Sequence, residues 1–105
     1  MSKLAANRRP PPAPRHLEAV EKRLWREVTT DFAFEDSASL ALLRSALEAH
    51  QRARRCRLAI DKEGMTTRDR FGQLRAHPLI GAERDARAAF LAAMRALNLD
   101  LGLES

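Results

Sequence analysis

Three histidines, one cysteine and fourteen carboxylates are the groups in this chain that could carry acid–base, nucleophilic or metal chemistry. They are scattered. His16, His50 and His77 lie far apart in sequence, and no paired metal-ligand motif occurs. His16 stands where a helix begins, His50 is expected on the polar flank of a long helix, and His77 precedes a proline. Cys56 is the single cysteine, so it forms no internal disulfide; in a row of small helical residues it reads as an inert core thiol, suited to a reduced cytoplasm. Asp31, Glu35 and Asp36 form an acidic group that a helix cap plus solvated charges explains more simply than a metal site. Neither a phosphate-binding glycine loop nor a serine in a nucleophile-elbow context is present. The residues therefore predict a chain that is not an enzyme, with no catalytic residue, no metal and no cofactor.

Positive charge offers a second kind of chemistry. The formal net charge is +5, and basic and acidic stretches alternate along the chain. On a helix through residues 37 to 63, Arg44, Arg52, Arg55 and Lys62 fall within about 80° of one another, with Glu48 in the same sector. Lys3, Arg8, Arg9 and Arg15 add a basic N-terminal segment. Two readings are open: a solvated helix face, or a surface that contacts phosphates. Against duplex DNA, such a surface would touch backbone, giving affinity and salt dependence without sequence choice. Sequence preference would then need a loop, the arm or DNA shape.

The elements that would position these groups follow from composition and periodicity. At 105 residues, with alanine, leucine and arginine abundant, no tyrosine and few aromatics, the chain predicts one all-α domain. Residues 1–15, with Pro10, Pro11, Pro12 and Pro14 among basic residues, predict a flexible, extended arm. A domain over 16–105 follows, with helices at about 16–30, 37–63 and 80–97. The first helix shows its apolar row at Leu17, Val20, Leu24 and Val28, with Trp25 beside it. Asp36 or Ser37 caps the second, and Gly64 ends it. Met65 to His77, with Arg68, Arg70, Gly72 and Arg75, reads as a loop of about a dozen residues. The third helix presents Ala82, Ala86, Ala89, Phe90, Ala93, Met94 and Leu97 on one face.

The long central helix carries two apolar stripes. Leu42, Ala46, Ala49, Ala53, Cys56 and Ile60 form a seam of small residues, and Leu40, Leu43, Leu47 and Leu58 form a second row. Either one stripe serves the intrachain core while the leucine row Leu40, Leu43, Leu47 and Leu58 meets another subunit, or both are covered within one chain. The first fifteen residues lack an apolar signal core, and no stretch of about 18 apolar residues occurs, so a protein that is neither exported nor membrane-bound is expected.

His16 to Trp25 (HLEAVEKRLW), Asp36 to Leu43 (DSASLALL), the Glu63-Gly64-Met65 turn, and Phe71 to Pro78 (FGQLRAHP) leading to RALNLD occur in an order that resembles the small terminase subunit of tailed bacteriophages. The resemblance covers roughly residues 14 to 100. It implies a helical, ring-forming homo-oligomer in the host cytoplasm. Such a ring would bind double-stranded viral DNA and deliver it to a large terminase subunit. That partner would hold the ATPase and nuclease, which the ring would regulate. Two other readings of the residues are a helical protein-interaction adaptor and a dimeric DNA-binding regulator; the first predicts a defined heterodimer without DNA binding, the second protection of a short palindrome.

Overall fold

The computed structural model describes residues 9–34 and 36–97. Within them the chain forms α1 (Ala19–Asp31), α2 (Ser37–Glu63), β1 (Thr66–Arg68), β2 (Leu74–Ala76) and α3 (Leu79–Ala96). The architecture is thus mainly helical, about two thirds of the described residues, with a small antiparallel ribbon inserted between the second and third helices. The expectation of an all-α chain is corrected at this one place.

Each end of α2 is set by its own residues. Asp36 has extended backbone, and its Oδ2 accepts the Ser39 N–H at 2.8 Å, which holds its carboxyl below the usual range. At the other end Gly64 takes φ +94° and donates its N–H to Ile60 O at 2.7 Å, a conformation that costs glycine least. Between these caps run 27 residues, about 40 Å. The 13-residue α1 is half as long. α1 lies antiparallel along the first part of α2, so Glu18 and Glu21 at its start face Gln51 and Arg54.

This difference in length decides how the two stripes of α2 are used. In the small-residue seam Ala46, Ala49, Ala53 and Ile60 are buried and Leu42 and Cys56 half-buried, α3 being the principal partner of α2. In the other row, Leu43 and Leu47 are fully buried in one cluster with Leu17, Trp25, Met94 and Leu97, and Leu40 packs on that cluster. Leu58 remains 57% exposed, because it lies past the start of α1. Leu43 and Leu47 therefore belong to the intrachain core and not to a surface open to another subunit. Glu18, just before α1, reaches only as far as Arg54 and Arg55, one turn short of Leu58.

The N-terminal arm is also different from the sequence expectation where it is described. Trp25 is buried, and its Nε1–H donates to Pro11 O at 2.8 Å. Ala13 packs against the core cluster, and Leu17 N–H reaches Pro14 O at 3.3 Å. Residues 10–15 are thus laid onto α1: consecutive prolines leave carbonyls without helical partners, and a buried indole N–H needs an acceptor. Lys3 and Arg8 lie outside the described residues. Replacing Trp25 with phenylalanine keeps most of the ring but removes this tie. W25F is expected to cost about 1 kcal/mol in denaturant unfolding and to speed cleavage after Arg15 in limited proteolysis. An unchanged cleavage rate would show that the indole does not hold the segment.

Between α2 and α3 the chain turns twice. Strands β1 and β2 pair antiparallel in the register Thr66 to Ala76, Thr67 to Arg75 and Arg68 to Leu74. His77, buried at the base, accepts the Leu79 N–H at Nδ1 (3.1 Å), which leaves its proton on Nε2 to donate to Glu63 at 2.6 Å. It thereby ties the end of α2 to the start of α3. No helix among the described residues is long and apolar enough to cross a membrane.

Candidate nucleic-acid interface

Two of the titratable groups, Glu21 and His50, join helices. Glu21 is fully buried between α1 and α2, and Arg54 forks onto it, Nε to Oε2 and Nη2 to Oε1, both at 3.0 Å. His50 Nδ1 lies 2.7 Å from Oε2, and its ring meets Phe90 edge-on at 5.2 Å. Burial pushes the Glu21 carboxyl up, but hydrogen bonds from Arg54 and His50 and the Arg54 charge outweigh it, so the net displacement is downward. Arg54 also donates to Glu18, which Arg55 holds as well, from Nη2 at 2.6 Å and Nε at 3.0 Å. Glu18 in turn donates its backbone N–H to Gln51 Oε1 at 2.7 Å. His50 is therefore an interhelical residue and does not sit on an outward polar flank.

A second ionic cluster joins α2 to α3. Glu83 receives Arg57 (2.6 and 3.0 Å) and Arg87 (2.8 and 3.1 Å). These two guanidinium groups hold its carboxyl down to about 2. His16 and Arg44 share Glu48, at 2.7 and 3.4 Å. Among the described residues no three of His, Cys, Asp and Glu gather to hold a metal ion. Cys56 is half-buried beside Ala82 and Ala86, while Asp31 is exposed and Glu35 lies outside the described residues.

The four basic residues of the α2 sector separate into two kinds. Arg44 and Arg55 remain exposed, but each already answers a carboxylate of its own chain. Arg52 and Lys62 are exposed and make no ion pair with any described residue, and the same holds for Arg9 and Arg15. Arg52 and Arg55 flank a shallow groove between α2 and α3, about 420 Å³, floored by Cys56, Ala82 and Ala86, with Asp85 on its edge. Such a groove can bring phosphate oxygens to Arg52 and, with exchange of the Glu18 contact, to Arg55. On the outer side of α1, Arg23 and Arg26 are exposed as well.

Sequence reading missed the ribbon. Gly72 N–H closes onto Asp69 O at 2.9 Å, Gly72 takes φ +77°, and Asp69 N–H returns to Gln73 O at 2.9 Å. The Asp69 side chain fixes the same turn: Oδ1 accepts from Phe71 N–H (2.8 Å) and Gln73 N–H (3.0 Å), and Oδ2 from Arg75 Nε (3.1 Å). These donors, the Gln73 N–H foremost, hold its carboxyl below the usual range. Asp followed three residues later by Gly is a turn signal, and Thr66-Thr67 a strand signal. Both were legible, but the strands lack alternating apolar residues because neither face packs on a core.

The basic side chains of the described surface are thus of three kinds: arginines held by carboxylates within the chain, Arg52 and Lys62 on α2 without an ion pair to any described residue, and the arginines of the ribbon between α2 and α3. No curated protein and no solved structure matches the chain. A family model described as phage terminase, small subunit, matches residues 22–104, which takes in all of α2, the ribbon and α3. The chain belongs to the phage terminase small-subunit family.

Proposed function

We propose that this protein is the DNA-engaging, non-catalytic subunit of a viral genome-packaging terminase. It assembles as a homo-oligomeric ring in the host cytoplasm, binds double-stranded viral DNA, and delivers that DNA to the large subunit, whose ATPase and nuclease it regulates. The observation that carries this reading is the family match across residues 22–104. Arg52 and Lys62 support the DNA-binding part as the cations of the α2 sector without an ion-pair partner among the described residues. Arg44, Arg55, Arg9 and Arg15, with Lys3 and Arg8 of the N-terminal segment, extend the same phosphate-attracting set.

For self-association, Leu58 is the member of its row that the intrachain core leaves exposed. It lines an apolar groove with Leu91 and Phe90, between Arg54, Arg57 and Arg87. This reading puts contacts between copies at that groove, where burying two half-exposed leucines would contribute a few kcal/mol per contact, about 1.5–3 for each side chain fully covered. Mass measurement in solution, electron micrographs and DNA titration test the proposal together. The expected results are an assembly larger than a dimer at micromolar concentration, closed rings on the grid, and duplex binding that falls steeply with salt. A strict monomer that binds no DNA at low salt would sink the reading. A defined heterodimer with another protein and no DNA binding would identify an adaptor instead.

A further inference from the structure

A two-stranded ribbon that packs on nothing is unusual in a helical subunit, since so short a hairpin has little to gain by standing alone. From Met65 to Ala76 every residue is exposed except Thr67 and Asp69, which are half-buried. The exposed set includes Phe71 at 73%, Met65 at 68% and Leu74 at 62%. The tip is nevertheless ordered, by the Asp69 and Gly72 bonds described above and by Arg68 Nη1 donating to Gly72 O at 2.7 Å. Its net charge is positive. Arg68, Arg70 and Arg75 face a single carboxylate, Asp69, whose oxygens are taken by the ribbon's own N–H groups and by Arg75. The Arg70 guanidinium lies over the Phe71 ring, 5.0 Å from its centroid.

We propose that the β1–β2 ribbon reads DNA sequence: it enters the major groove with Phe71 against base edges and Arg68 and Arg70 reaching phosphates or guanine edges. This rests on the DNA-binding reading above and gives it the sequence preference that contacts along α2 lack. The dimensions fit, because two strands about 5 Å apart with their side chains fill a groove about 12 Å wide that admits a two-stranded ribbon. The chemistry fits too. Arginine pairs with guanine or phosphate oxygens, and an aromatic edge meets the thymine methyl. An acidic protein surface would match the arginines, but it offers nothing to the exposed Phe71 ring beside them, whereas a base-pair edge in the major groove offers the thymine methyl next to guanine acceptors.

The test selects preferred duplexes from a random library with the full chain. It then compares wild type, F71A, R68A and R70A on a recovered duplex and on a scrambled one of equal length. The substituted side chains are exposed, and far-UV circular dichroism checks that each variant is folded. F71A is expected to lower affinity for the recovered duplex about tenfold, leave the scrambled duplex within about twofold, and keep the salt slope. R68A and R70A should each flatten that slope by about one. If F71A and R70A keep the wild-type preference, or if selection recovers no preferred sequence, the ribbon is not the reader, although DNA binding itself stands. Loss of large-subunit stimulation in F71A with DNA binding intact would assign the ribbon to a protein partner and overturn the proposal. A wild-type protein that binds no duplex at all fails the underlying reading as well.

Discussion

Neutralising Arg52 and Lys62 together will weaken binding to duplex DNA by about a hundredfold at about 0.1 M salt, and will flatten the dependence of log K on log salt by about two. Each cation that meets a phosphate releases close to one condensed counterion, which at that salt amounts to about tenfold in affinity. Ten positions apart on α2, the two residues stand about 15 Å from each other along one side, so they meet different phosphates and their effects should add. Neither has a carboxylate partner among the described residues, so removing them leaves no buried charge behind and stability should change by less than about 0.5 kcal/mol. The matched comparison is R55A. Arg55 must exchange Glu18 for a phosphate, so its loss should cost DNA binding less than that of Arg52, and should loosen the contact of α1 with α2. A double variant R52A/K62A with wild-type affinity and slope would remove this face of α2 from the interface.

The second large effect concerns stability. Glu21→Ala is expected to cost about 2–4 kcal/mol near neutral pH, lowering the midpoint of thermal unfolding by more than about 10 °C. Glu21 is fully buried, and without it Arg54 keeps only Glu18, while His50 loses its acceptor against Phe90. The cost lies toward the lower part of the range for broken buried pairs because Arg54 is 28% exposed and reaches water. The dependence on pH has a definite sign. The Glu21 carboxyl titrates below its ordinary 4.5 in the folded chain, so its contribution is complete above that value and is lost as the pH falls further. Glu83, held at about 2, behaves alike and gives way later in an acid titration. Denaturant curves at pH 7 and near pH 3 should therefore show E21A and wild type converging at the acid end. A gap that stays constant over that range would mean that Glu21 acts through packing and not through its charge.

These two effects differ in how far they were written in the residues. The basic sector of α2 follows from helical geometry, since 100° per residue brings positions 44, 52, 55 and 62 to one side whatever surrounds them. Which of the four remain available does not follow, because Glu18 and Glu48 reach Arg55 and Arg44 through contacts set by packing and local rotamers. Glu21 gave no sign of burial. In the sequence it is one charge among several on an amphipathic helix, and its environment depends on Arg54 and His50, which arrive from about thirty positions away. The ribbon was legible only as a turn signal and the pair Thr66-Thr67; its strands bury nothing, and burial is what writes a period of two into a sequence.

By itself, then, the sequence determined the helices, their caps at Asp36 and Gly64, and the order of motifs that marks the family. All of these depend on neighbours within a few residues, or on patterns that need no partner. Tertiary structure alone decided that Leu43 and Leu47 face inward while Leu58 stays exposed, that Pro11 accepts from the buried Trp25, and that His50 and His77 tie elements together. The physical reason is one of reach: α1 covers about half of α2, and a side chain's fate is settled by whichever element comes to lie over it.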